Sequence, residues 1–173
     1  IRPYILRRKK NDVNIQLPEK EETIIEVEMT QIQRNFSQLI IKNNLGTLKD
    51  ILATKVNLNN IMIQLRKLFC HPYLIPKLED MCYSKYKKSH NIPKSTKLDP
   101  DQEFDSLVSA SGKTILIDKL LPKLKEGNHK VLFFSQMTNM LDIIEDYLIY
   151  KGYLYERLDG SSNIANRTLA INR

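Results

Sequence analysis

Ser111, Gly112, Lys113 and Thr114 reproduce the last four positions of a phosphate-binding loop, G-x-x-x-x-G-K-[ST]. That loop needs a first glycine to fold its amides around phosphates, and the position is held by Leu107. No strand-like run precedes it either. Ser111 is therefore read as a helix N-cap rather than as part of a nucleotide site. Cys70, His71, Cys82 and His90 are four potential zinc ligands within about twenty residues. Their spacings do not match the C-x₂₋₄-C or H-x₃₋₅-H pairs of structural zinc sites. A buried thiol beside a satisfied histidine is the expectation, and no metal is assigned. No Ser-His-Asp or Cys-His pairing stands out for nucleophilic chemistry.

A third constellation is geometric. Two strand-like runs, 130–134 and 153–158, each lead into a polar turn and a helix start: Ser135, Gln136, Met137 and Thr138 in one case, Asp159, Gly160, Ser161, Ser162 and Asn163 in the other. In a parallel sheet both turns fall at the carboxyl edge, where open α/β sheets usually bind ligands. Unpaired amides at a helix start favour an anion such as backbone phosphate. Gly160 permits close backbone approach, and Arg167 stands about two helical turns further on. The competing reading is that Thr138 and Ser162 or Asn163 are ordinary helix caps.

The elements that must position these residues follow from periodicity. Residues 23–29 alternate partly between apolar and acidic side chains and are expected to form a strand. Thr30 with Gln33 has the form of a capping box for a helix that carries Ile32, Phe36, Leu39 and Ile40 and ends at Gly46. A second helix is expected from Val56 to Phe69 and stops at His71-Pro72, because a residue preceding proline disfavours helical geometry. Between Ile75 and Ala110 the periodicity fades. Lys-rich and then acidic stretches suggest a long exposed connection. Helices are expected again at 112–125 and 138–150, with a further one beginning near Asn163. This alternation of helices and strands implies an α/β fold.

Composition sets the frame. At 173 residues and 42% hydrophobic content the chain has enough apolar surface for one core. Its 27 Lys and Arg against 20 Asp and Glu give a net charge of +7, which favours polyanionic partners at long range. Two cysteines, no signal peptide and no membrane-length apolar run suggest a reducing, soluble, intracellular setting. The chain does not begin with Met and closes on Arg173 within helix-like sequence, which reads as a piece of a longer protein.

Several of these segments together resemble the SWI/SNF-type chromatin-remodelling ATPases, particularly their chromodomain-helicase-DNA-binding class, over nearly the whole chain. The resemblance is carried by Ile5, Leu6, Arg7, Arg8, Asp12, Val13 and the Leu17-Pro18-Glu19-Lys20 run. It continues through Glu21 to Glu28, Leu65-Arg66-Lys67, His71-Pro72-Tyr73-Leu74 and Ser111-Gly112-Lys113 with Leu120 to Leu124. Val131 to Met137 resembles helicase motif IV. Leu141-Asp142, Glu145 to Leu148 and Tyr155 to Gly160 are similar to the chromodomain class. Cys70 stands where the family usually has asparagine, and Ile164 where related helicases have glutamine.

The resemblance implies a two-lobed RecA-like motor that grips duplex DNA. Residues 111–173 would be the first part of the second lobe, with parallel strands and crossover helices. Residues 1–110 would supply the inter-lobe strand, a largely helical protrusion with bracing helices, and a charged linker. Contacts to DNA phosphates would come from Ser135, Gln136, Gly160, Ser161 and Arg167. The full-length motor would use ATP and Mg2+. The resemblance assigns the true phosphate loop, the magnesium-holding acidic motif and motifs V and VI to regions beyond this sequence, so the chain alone is expected to be inactive, with no catalytic residue of its own. The implied partners are the first lobe of the same polypeptide, nucleosomal DNA and histones, with no membrane, in the nucleus. The alternative is a non-enzymatic module that binds DNA or acidic histone surfaces through Arg2, Arg7 to Lys10 and the Lys77 to Lys97 stretch.

Overall fold

The computed structural model describes residues 5–8, 20–41, 58–161, 163 and 167–170. The expected helix end at Gly46, the basic residues Arg2, Lys9 and Lys10, the motif positions 12–19, and Ser162 and Ile164 lie outside them.

Helix α1 spans Gln31–Ile41. It starts with the expected capping box: the Gln33 amide donates to Thr30 Oγ1 at 3.3 Å while the Thr30 amide donates to Gln33 Oε1 at 3.0 Å. Gln33, Phe36, Ser37 and Ile40, spaced three or four apart, form its buried stripe. That stripe packs on α2, Leu58–Cys70, where Leu68 is fully buried. Burial of that side chain contributes about 2 kcal/mol. His71 then turns extended, with φ −160° and ψ 135°, and stops α2 ahead of Pro72 as expected. A single 3₁₀ turn, Pro72–Leu74, follows.

The stretch read as a long exposed connection contains two helices, α3 at Leu78–Ser89 and α4 at Pro100–Ala110. In α3 the buried positions are only Leu78 and Cys82, one turn apart, so lysines outnumber the apolar signal. Its charges suit a helix nonetheless: Glu79 and Asp80 stand in the first turn and Lys87 and Lys88 in the last, complementing the backbone dipole. Asp99 caps α4 in a full capping box with Gln102, and Pro100 opens the helix.

Ser111 alone separates α4 from α5, Gly112–Glu126. Its extended backbone, φ −128° and ψ 136°, ends one helix and caps the next, and Ser111 is fully buried. Helix α6, Thr138–Tyr150, matches its expected bounds and turns Met140, Ile143 and Ile144 toward Tyr73, Leu74, Leu107 and Ile117. Residues 167–170 are helical.

The expected α/β architecture, a partial RecA-like lobe with parallel strands and crossover helices, is not what the described residues form. They are all-helical, and residues 23–29, 130–134 and 153–158 make no strand. The physical reason lies in where each element finds its hydrogen bonds. A helix satisfies its own backbone, whereas a parallel strand exists only through the ladder to a neighbour. β-Branched and aromatic composition marks a segment as able to join a sheet without supplying the partner. Phe134 and Leu154 are 85% and 104% exposed, so these runs also lack the packing a sheet face would give them.

Candidate nucleic-acid interface

The start of α5 has the last four positions of a phosphate loop but not the space. Gln33 fills it: its Oε1 accepts from the Gly112 amide at 3.3 Å, and its Nε2 donates to Ser111 Oγ at 3.3 Å and to the Leu68 carbonyl at 2.9 Å. Ser111 Oγ donates to the Cys70 carbonyl and accepts from the Lys113 amide. The Thr114 hydroxyl is taken by the Val108 and Ser111 carbonyls, both at 2.8 Å. A Cβ added to Gly112 would stand 2.1 Å from the Glu28 carbonyl oxygen. The triphosphate of ATP does not fit here, and the amides that would bind it are already bonded.

The candidate metal ligands are dispersed into separate roles. His71 is fully buried, with Nε2 donating to the Leu107 carbonyl at 3.0 Å and Nδ1 accepting from the Tyr73 amide at 3.2 Å. Burial pushes its pKa down to about 4, against a smaller upward pull from the Leu107 bond. Cys82 sits in the core, and burial pushes its thiol up to about 12. His90 stacks on Tyr86 at 4.1 Å. Among the described residues no three His, Cys, Asp or Glu side chains gather to hold a metal ion.

Two turns carry the residues expected to contact phosphates. In the first, Ser135 closes on itself: its Oγ accepts from the Met137 amide at 3.1 Å and donates to the Met137 carbonyl at 3.0 Å. The N-cap of α6 is Met137 rather than Thr138, without a side-chain cap bond. Gln136 is exposed beside it. In the second, Asp159 Oδ1 accepts from both the amide and the hydroxyl of Ser161, at 2.9 and 2.5 Å. Arg167 Nη2 donates to the Asp159 carbonyl at 3.0 Å. The structure thus brings Asp159, Gly160, Ser161 and Arg167 together, while Ser135 and Gln136 stand on the turn that enters α6.

Arg157 was not among the expected site residues. Its Nη1 lies 2.7 Å from both Asp142 and Glu145 of α6, and its Nε 3.1 Å from Asp159. Tyr155 adds a hydroxyl bond to Glu145 at 2.5 Å. The bonds from Tyr155 and then Arg157 hold Glu145 below the usual carboxylate range, and the Ser161 donors, ahead of Arg157, do the same for Asp159. The available signal was the i, i+3 spacing of Asp142 and Glu145 on one helix face opposite an arginine two residues before Asp159.

Comparison with known proteins adds sequence similarity to this geometry. Residues 1–74 match the SNF2-related domain. The described part of this stretch includes α1, α2 and the His71–Leu74 turn that sits under α4 and α6. The whole chain is 46% identical, over 175 aligned residues, to chromodomain-helicase-DNA-binding protein 7 of Homo sapiens, of which it covers 6%. It is 47% identical over 175 residues to chromodomain-helicase-DNA-binding protein 9 of Mus musculus, again 6% of that protein. The identity to chromodomain-helicase-DNA-binding protein 8 of Homo sapiens is 47% over 176 residues, 7% of its length. Similarity thus runs through both candidate turns and beyond the SNF2-related stretch. No helix among the described residues is long and apolar enough to cross a membrane.

Proposed function

We propose that this chain is part of an ATP-dependent DNA translocase that acts on chromatin, and that its own share of the work is to contact the DNA backbone. The observation that carries the reading is the 46–47% identity, over the full chain, to proteins named for chromodomain, helicase and DNA-binding character. The clustering of Ser161 with Arg167 around the Gly160 turn supports it, as does the net charge of +7. In this reading Ser135, Gln136, Gly160, Ser161 and Arg167 face DNA phosphates. Residues 1–110 brace the motor, and 111–173 open its second lobe. ATP and Mg2+ serve the whole motor in the nucleus, with nucleosomal DNA, histones and the first lobe as partners. The packed start of α5 leaves no room for the nucleotide at Ser111 to Thr114.

The test is binding of the chain to short duplex DNA, followed by fluorescence anisotropy across a salt series. Phosphate contacts make affinity fall steeply with salt and vary little with base sequence. Arg167→Gln is expected to weaken binding and to flatten the salt slope by about 1; Gln136→Ala is expected to weaken it less. If both variants bind like the parent while neutralising Lys85, Lys88 and Lys94 abolishes binding, the basic-module reading replaces this one.

A further inference from the structure

Arg157 links α6 to the turn at Asp159 with one side chain on three partners. Asp142 and Glu145 lie three residues apart, so one face of α6 offers both carboxylates to a single guanidinium nitrogen, each at 2.7 Å. The same guanidinium reaches Asp159 Oδ2 through Nε at 3.1 Å. Asp159 spends its other oxygen on the amide and hydroxyl of Ser161, and its carbonyl accepts from Arg167. A continuous set of bonds therefore runs from α6 through Arg157 and Asp159 to Ser161 and Arg167. With its side chain 26% exposed, Arg157 is partly withdrawn from water, and the pairing is forked and networked rather than single.

We infer that Arg157 is a positioning residue for DNA: it pins the Asp159–Ser161 turn to α6, so that Arg167, held on the Asp159 carbonyl, meets a backbone phosphate from a fixed turn. This inference rests on the reading of that turn as a DNA contact. Fixing the turn that carries Arg167 before DNA arrives spares the cost of ordering it on binding. Lysine at 157 keeps the charge but lacks the planar fork that serves helix and turn at once.

A different role for the same arginine is charge screening, since Asp142, Glu145 and Asp159 would otherwise face the incoming polyanion. The two roles differ in sign. Under screening, removing the Glu145 charge strengthens DNA binding; under positioning it weakens binding, because Arg157 loses a hold on α6 although the surface has become less negative.

The experiment measures duplex affinity of the 173-residue chain by anisotropy at fixed salt, for Glu145→Gln, Arg157→Gln, Arg157→Lys and Arg167→Gln, with helicity by circular dichroism confirming an unchanged fold. The expected result for Glu145→Gln is a loss of about two- to fivefold, the range of a surface ion pair. Arg157→Gln should lose more, and Arg157→Lys should fall between it and the parent. Unchanged or tighter binding by Glu145→Gln, with Arg167→Gln impaired, overturns positioning and leaves the DNA reading standing. An unimpaired Arg167→Gln overturns the reading of the turn and the positioning role with it.

Discussion

Gln33 and Ser111, 78 positions apart, meet at 3.3 Å with Gln33 Nε2 donating to Ser111 Oγ. The same Gln33 side chain caps Thr30 at the start of α1, takes the Gly112 amide at the start of α5 and holds the Leu68 carbonyl near the end of α2. One buried amide therefore satisfies backbone groups from three helices, in a place where water does not reach.

Replacing it should cost more than its size suggests. Gln33→Ala leaves the Gly112 amide and the Leu68 carbonyl without their partner, and each buried orphan costs about 1–3 kcal/mol. The expected loss is about 3 kcal/mol, read from urea unfolding followed by circular dichroism. A loss below about 1 kcal/mol would mean that the joint is not formed in solution.

Gly112→Ala sets two effects against each other. Alanine is the better helix former by about 1 kcal/mol. Its Cβ, however, would stand 2.1 Å from the Glu28 carbonyl oxygen and 3.0 Å from Val27 Cγ1. The Glu28 backbone cannot yield cheaply, so the steric cost of about 1–3 kcal/mol prevails and the melting temperature is expected to drop. An increase would place the segment before Thr30 elsewhere.

His71 makes stability depend on pH. Its neutral form is fully used, with Nε2–H given to Leu107 and the Nδ1 lone pair taken by the Tyr73 amide; a second proton on Nδ1 would break the latter bond. The unfolded chain gains that proton near pH 6.5, the folded one only near pH 4. Its contribution is complete above pH 6.5 and is lost as the pH falls toward 4, by about 3 kcal/mol in all. Unfolding free energies measured across that window should show the decline in the parent, and a shallower one in His71→Gln. Parallel curves would remove His71 as the cause.

Phe104 joins α4 to α6. Its ring stacks on Tyr150 at 3.8 Å and 11°, lies 5.5 Å from Tyr147, and carries the Lys151 ammonium at 5.0 Å. Phe104→Ala is expected to cost about 3–5 kcal/mol by emptying this site. Phe104→Leu should restore a large part of it, which thermal unfolding of the two variants would show.

Mg-ATP should leave the melting temperature of the chain unchanged, because the α5 start presents bonded amides and no cavity. Saturating binding at a hundred times the dissociation constant would add about 2.7 kcal/mol and be plain in a melt. A shift of that kind, abolished by Lys113→Ala, would restore Ser111 to Thr114 as a nucleotide site.

The parts that could be read in advance are those whose signal is local. The Thr30–Gln33 box, the stop at His71-Pro72 and the bounds of α6 each depend on neighbours within one turn. Helix α4 had a local signal too, in Asp99, Pro100 and Gln102, but acidic composition around it suggested a solvated connection. Helix α3 hid because only Leu78 and Cys82 mark its inner face. The segments expected as strands failed for the opposite reason: their fate depends on partners that no local pattern specifies. Among the site residues, the grouping of Arg167 with the Gly160 turn followed from spacing, whereas Arg157 acquires its partners only once α6 is placed.

The exposed run at Leu132 and Phe134, with Leu154 on a second segment, bears on how the chain behaves in a tube. Unpaired backbone beside large apolar side chains is a template for intermolecular strand addition. The +7 charge opposes such contacts at low salt, and salt weakens that repulsion. Light scattering should therefore rise with ionic strength under the same conditions in which DNA affinity falls, so concentration and salt have to be chosen together for any solution study of this chain.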